Sequence, residues 1–149
     1  MSHITAPAPT IGSRGNSAPR AGAVIAGAAA GANLLFWAIG RAFGTDYLVA
    51  PAGGGPGHAQ TIGPGMVVAM TVVPVILGSV LLALTRGASH RWWPRLAAGG
   101  LAVGILTVAM PLAATASAGA RALLAVMHVV AGAAWFIGVR WALAKWVRR

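Results

Sequence analysis

The stretch Met66–Leu84, MVVAMTVVPVILGSVLLAL, runs for 19 residues without a charged side chain. An α-helix rises ~1.5 Å per residue, so about twenty residues cross the ~30 Å hydrocarbon core of a bilayer. Working outward, three more predominantly apolar runs follow, Ala21–Gly40, Leu96–Ala116 and Ala122–Leu143, the last with Arg140 near its end, so that all four measure 19 to 22 residues. Inside lipid a helix satisfies its own backbone hydrogen bonds, which makes these segments helical whatever their local propensities. The expected architecture is all-α: a polytopic membrane protein closed as an up-down-up-down four-helix transmembrane bundle. Residues 21–143 form the membrane domain, between a disordered cytoplasmic tail (residues 1–20) and a basic cytoplasmic tail (residues 144–149).

Composition narrows the function classes. Hydrophobic residues make up 58% of the 149 and charged residues 8%, too few charges for a soluble surface. The net charge of +10 has no soluble domain to carry it, so nucleic acid is not an expected partner. With no cysteine there are no disulfides, thiol nucleophiles or thiolate metal sites. Asp46 is the single acid, which rules out a paired-carboxylate active site and a carboxylate metal cage. No cofactor, metal or catalytic residue is expected, and the chain reads as a non-enzyme.

The basic residues fall in alternate gaps. Arg14, Arg20, Arg86, Arg91, Arg95, Arg140, Lys145, Arg148 and Arg149 lie on one side, and only Arg41 and Arg121 on the other. Nine against two in short loops places both termini in the cytoplasm, where the basic residues meet anionic headgroups. Trp92, Trp93, Trp141 and Trp146 fall at the inner interface and Tyr47 near the outer one. A cleaved signal peptide is the rival reading of the N-terminus, but the first apolar run is longer than a signal core and Phe43–Asp46 offers no small-x-small site. The outer loop Arg41–Gly65 carries six glycines and three prolines in its second half, residues 51–65. That half is expected to be a flexible linker with no regular element.

Helix–helix contacts in lipid favour small residues. The first span has Ala23, Gly27 and Gly31 on one face, and Asn33 on nearly the opposite face with Ala26, Ala29 and Ala30, so it is expected to touch neighbours on both sides. Thr71, Pro74 and Gly78 mark one face of the second span, and Gly100, Gly104, Thr107 and Pro111 one face of the third. Ala125, His128 and Gly132 mark the fourth. Leu82 is expected on a lipid-facing or peripheral surface. Counted from Arg41 and Arg121, Asn33 and His128 lie at matching depth, ~10–12 Å below the outer boundary. Pro74 and Pro111 free the carbonyls of Met70 and Thr107 at roughly that level, as acceptors for buried donors.

Asn33, Thr71, Thr107 and His128 therefore form a candidate intramembrane polar cluster, with Arg41 and Asp46 pairing at its outer mouth. In a structural reading, Asn33 and His128 are hydrogen-bond donors that fix helix register. In a functional reading, His128 is a titratable group lining an outward-facing cavity.

The fourth span, Arg121-Ala-Leu-Leu-Ala-Val-Met127-His128-Val-Val-Ala-Gly132, resembles the last helix of the DUF6069 family, small bacterial four-helix membrane proteins of unknown function. The Asn33-bearing first span fits it too, and the resemblance covers Ala21–Leu143. It implies a multi-pass protein of the bacterial plasma membrane without assigned activity, and it carries over no catalytic residue.

Two roles follow. One is a non-enzymatic structural or accessory component of a plasma-membrane complex, with a homo-oligomer or another membrane protein as partner besides the lipid bilayer itself. The alternative is a small dimeric transporter with an outward-facing polar cavity around Asn33 and His128. Four-helix small multidrug exporters are similar in size, but they depend on a membrane-embedded Glu in the first helix, where this chain has Asn33.

Overall fold

A computed structural model describes the backbone of residues 17–54, 56–85 and 91–147, and the side chains of these except 17, 18, 56, 146 and 147. The chain is mostly helical. In order come α1 (Ser17–Ala42), β1 (Leu48–Val49), β2 (Gln60–Thr61), α2 (Pro64–Leu84), α3 (Trp92–Leu106), α4 (Ala109–Ala113) and α5 (Ala118–Val147). Four helical stretches are long and apolar enough to cross a membrane: Pro19–Ala42, Pro64–Leu84, Trp92–Ala113 and Ala118–Lys145. Helix α1 begins inside the stretch read as tail, and α5 carries on through most of the residues read as a basic tail. Residues 1–16, Arg86, Arg148, Arg149 and the Trp146 side chain lie outside the described residues.

Local chemistry sets the helix ends. Gly44 adopts a left-handed φ of 76° just after α1, and the Thr45 N–H returns to the Gly40 carbonyl at 2.8 Å, closing off carbonyls the helix leaves open. Pro64 sits in the first turn of α2, where its missing N–H costs nothing. Ser117 caps α5 by accepting the Ala120 N–H at 3.2 Å.

The third span is not one regular helix. Pro111 cannot donate to the Thr107 carbonyl, and its ring crowds that carbonyl. The Met110 N–H takes it instead at 3.1 Å, Val108 bonds Ile105 at 3.2 Å, and the helix tightens over Thr107–Val108 to split into α3 and α4. The carbonyl that Pro111 was expected to free for a donor on another helix is thus taken within its own segment.

Helix α1 packs on α2 and α5, and α5 packs on α3, whereas α2 and α3 touch only sparsely. The indole of Trp135 fills the space between those two. A Cβ on Gly78 of α2 would stand 2.6 Å from its ring, and one on Gly100 of α3 would collide with it as well. Its Nε1–H donates to the Leu96 carbonyl at 2.9 Å. Further along, Gly104 and Gly132 bring α3 and α5 backbone to backbone, with a Cβ on Gly104 falling 2.8 Å from the Gly132 Cα, the close approach that small residues allow in lipid.

Several side chains stand elsewhere than expected. Leu82 is 1% exposed, inside a cluster with Ile25, Val75, Trp93, Trp135 and Val139, because α2 turns this side toward α1 and α5. Trp93 belongs to that cluster, while Trp92 stays outside with the Arg95 guanidinium 5.0 Å from its ring. Trp141 likewise carries the Lys145 ammonium at 3.6 Å. Ala23, Gly27 and Gly31 face outward, with nothing within 4 Å of a Cβ on either glycine. Within this chain α1 touches its neighbours through the Ala26, Ala29, Ala30 and Asn33 side.

The loop between α1 and α2 is folded, including its second half, residues 51–65, which reads from sequence as a flexible linker. Leu48 pairs with Thr61 and Val49 with Gln60, and a single 3-10 turn covers Pro56–His58. Ala50 and Thr115 exchange both backbone hydrogen bonds at 3.0 Å, and the Ser117 hydroxyl donates to the Asp46 carbonyl at 3.1 Å. Trp37 donates to the Ile62 carbonyl at 3.0 Å, and its ring stacks on Tyr47 at 6.2 Å between centroids. These long-range bonds take up the backbone groups that a glycine-rich loop would leave to water.

Candidate functional site

Two hydrophobic clusters stand one above the other. The inner one holds Ile25 and Ala26 from α1, Val75 and Leu82 from α2, and Trp135 and Val139 from α5. The outer one holds Tyr47, Ile62, Val67, Ala120 and Met127. Between them in each helix falls one polar residue: Asn33 in α1, Thr71 in α2, His128 in α5. These three line a single cleft of about 80 Å³, walled by Val67, Met70, Leu124, Met127 and Ala131 and covered by Ile62 of the outer loop.

The hydrogen bonds in the cleft fix which atoms are spent. Asn33 is 3% exposed, and its side-chain N–H donates to Thr71 Oγ1 at 3.0 Å. Thr71 in turn donates its one proton to the Val67 carbonyl at 2.7 Å, so its oxygen can only accept, and the Asn33 amide must present nitrogen rather than oxygen. That leaves Asn33 Oδ1 buried without a partner. His128 Nδ1 lies 2.7 Å from the Leu124 carbonyl. A carbonyl only accepts, so Nδ1 carries the hydrogen, and in the neutral ring Nε2 is an acceptor.

Neither polar residue uses a proline-freed carbonyl. Pro74 stands on the exposed side of α2, Asn33 bonds Thr71 rather than Met70, and His128 bonds within its own helix. Thr107 is not brought to the cleft. Its hydroxyl donates to Val103 at 2.8 Å and lies 3.1 Å from the Gly104 carbonyl, at the break between α3 and α4. Neither Arg41 nor Asp46 lines the cleft. The Arg41 guanidinium donates to the Thr45 carbonyl at 3.5 Å, and the two do not form an ion pair.

Sequence reasoning missed Tyr47 as part of the cover. It is 1% exposed, with its hydroxyl 3.4 Å from the Trp37 carbonyl. Burial pushes its phenol above the usual tyrosine range, and the Arg41 guanidinium pulls it part of the way back. The sequence signal was the single tyrosine of the chain, set in the loop between the first two spans. Ile62 was missed too, since nothing in the loop distinguishes it before the hairpin is known.

Chemically, the polar lining of the cleft is an amide, a hydroxyl and an imidazole, with no Lys, Arg, Asp or Glu among the lining residues. The candidate cluster is a hydrogen-bonding layer in an apolar bundle. Neither a curated protein nor a solved structure matches the chain. One family model does, described as a family of unknown function (DUF6069), and it matches residues 13–145. With four helices apolar enough to span a membrane and a family match over nearly its whole length, the chain belongs to the DUF6069 family.

Proposed function

We propose that this protein is a non-enzymatic, multi-pass component of the bacterial plasma membrane that acts as a structural or accessory subunit, docking through α1 onto another transmembrane helix. The observation that carries this is the outward stripe Ala23, Gly27 and Gly31. On the other face of the same helix, Gly22 abuts Ser79 and Gly40 abuts Tyr47 and Leu123, while Gly27 and Gly31 meet nothing. Glycine inside a helix costs roughly 0.5–1 kcal/mol relative to alanine. In lipid that cost is offset where a second helix approaches closely.

The charge asymmetry supports an orientation with both termini in the cytoplasm and the hairpin loop outside. Contacts such as Gly22 with Ser79, Ile25 with Gly138 and Leu123 with Gly40 pair an early residue of one helix with a late residue of its neighbour, which supports an up-down-up-down bundle. Trp92 and Trp141, each under a cation, suit the inner interface with anionic headgroups. Gly27→Leu with Gly31→Leu should leave the isolated chain as stable as before and abolish its co-migration with its assembly in mild detergent. An assembly of unchanged size would refute the docking face.

The cleft favours a second reading, a small dimeric transporter. The inner cluster of Leu82, Trp93, Trp135 and Val139 beneath the cleft would then have to open in each cycle.

A further inference from the structure

We infer that the cleft between α1, α2 and α5 binds the hydroxyl group of an apolar alcohol or phenol dissolved in the bilayer. This rests on the cleft alone and is independent of the docking face on α1.

The polar atoms define the ligand. Asn33 Oδ1 is buried and unpartnered, and in the neutral ring His128 Nε2 is an acceptor, since Nδ1 is engaged with Leu124. The Thr71 hydroxyl has spent its one proton on Val67 and already accepts from Asn33, so it has no donor to offer. The cleft thus asks for a hydrogen-bond donor, since a buried acceptor left unpaired is costly. The second Asn33 N–H is available to the oxygen of the same hydroxyl.

Charge is excluded by the same lining. No Lys or Arg lines the cleft to receive a phosphate or carboxylate, and no acid lines it to receive an ammonium group. An uncompensated ion at this depth carries a heavy desolvation cost. A neutral hydroxyl satisfies the acceptors without it.

Geometry defines the route. Ile62 covers the cleft on the loop side, held by Trp37 on its carbonyl and by Tyr47 on its N–H. No residue of α3 or α4 lines the cleft, and α2 and α3 meet only sparsely, so the open side is lateral, past Met70, which is 63% exposed. In a bilayer that side faces hydrocarbon. A space of about 80 Å³ takes a hydroxyl and a few carbons, at a water's share of ~30 Å³, and leaves an alkyl chain in the lipid.

The test uses the full chain in phosphatidylcholine/phosphatidylglycerol nanodiscs and a diazirine-bearing dodecanol as photoprobe. Labelling should map to peptides containing Met70 or Met127. Excess dodecanol should compete, whereas dodecyl methyl ether, dodecanoate and ammonium chloride should not. His128→Phe should reduce labelling about five- to tenfold, the loss expected for one hydrogen bond. Ala131→Phe, which fills the rim without removing a polar atom, should do the same, and it serves if an Asn33 or His128 variant fails to fold. Equal competition by the ether would overturn the proposal, since the hydroxyl would then play no part. Competition by ammonium would assign the cleft to a water-borne donor and overturn it too. Labelling unchanged in both folded variants would place the probe elsewhere.

Discussion

The Asn33 side-chain N–H donates to Thr71 Oγ1 at 3.0 Å across 38 residues of sequence, while Thr71 hands its own proton to Val67 at 2.7 Å. This pair pins α1 to α2 between two hydrophobic clusters that could otherwise slide past one another. Thr71→Val should lower stability by about 1–3 kcal/mol, because it strands the Asn33 amide in an apolar layer. Adding Asn33→Leu removes the stranded group, so the double variant should recover part of that loss. Thermal unfolding in detergent measures both, and strictly additive losses would show that the bond does not couple the helices.

Gly99 and Gly100 are neighbours with opposite surroundings. A Cβ on Gly99 meets nothing, whereas one on Gly100 runs into the Trp135 indole. Gly99→Ala should be neutral or stabilise slightly through helix propensity. Gly100→Ala should cost about 1–3 kcal/mol by overpacking. Gly104→Leu should cost more, since its neighbour at 2.8 Å is backbone and cannot move aside. Similar melting points for Gly99→Ala and Gly100→Ala would mean that the Trp135 ring does not lie against α3.

Tyr47 is the only tyrosine in the chain, so tyrosinate absorbance reports it alone. Its pKa is raised from the ordinary 10.0 by burial. The folded state therefore holds the phenol proton more tightly than the unfolded state does. The resulting stability is fully present below the unfolded pKa near 10 and is lost as pH rises through the higher folded value. The alkaline titration midpoint should lie above 10 in the folded protein and rise further in Arg41→Ala, which removes the opposing charge. A midpoint at or below 10 would mean that the loop does not bury the ring.

The loop makes its own prediction. The amides of Ala50, Ile62 and Thr115 each donate to a backbone carbonyl at 2.9–3.0 Å across the loop, so they should exchange with deuterium well after that of Gly57, which is exposed. Uniformly fast exchange through residues 48–62 would show an unfolded connection there.

Much of the membrane domain was legible because lipid imposes so strong a constraint. Length and lack of charge alone mark Met66–Leu84, and the depths of Asn33 and His128 could be counted from Arg41 and Arg121. What escaped depends on partners distant in sequence. Thr107 has the right depth, but Pro111 forces a tightened turn at Thr107–Val108 and leaves its hydroxyl bonded to its own helix. Small-residue spacing marked both faces of α1 equally, so it could not show that Asn33 faces inward and Gly27 outward. Leu82 looks like any leucine in a uniformly apolar run, and its burial is decided by the rotation of α2. The fold of the outer loop rests on pairings such as Ala50 with Thr115, for which glycine and proline content gives no hint.

The central claim is that four spans carry the chain across the bilayer, with the hairpin loop outside and the polar layer of Asn33, Thr71 and His128 in the outer half. A reporter enzyme that works only outside the membrane tests this most directly, fused after Pro56 in one strain and after Arg149 in another. The account predicts activity at Pro56 and none at Arg149. The reverse pattern, or activity at both positions, would contradict it.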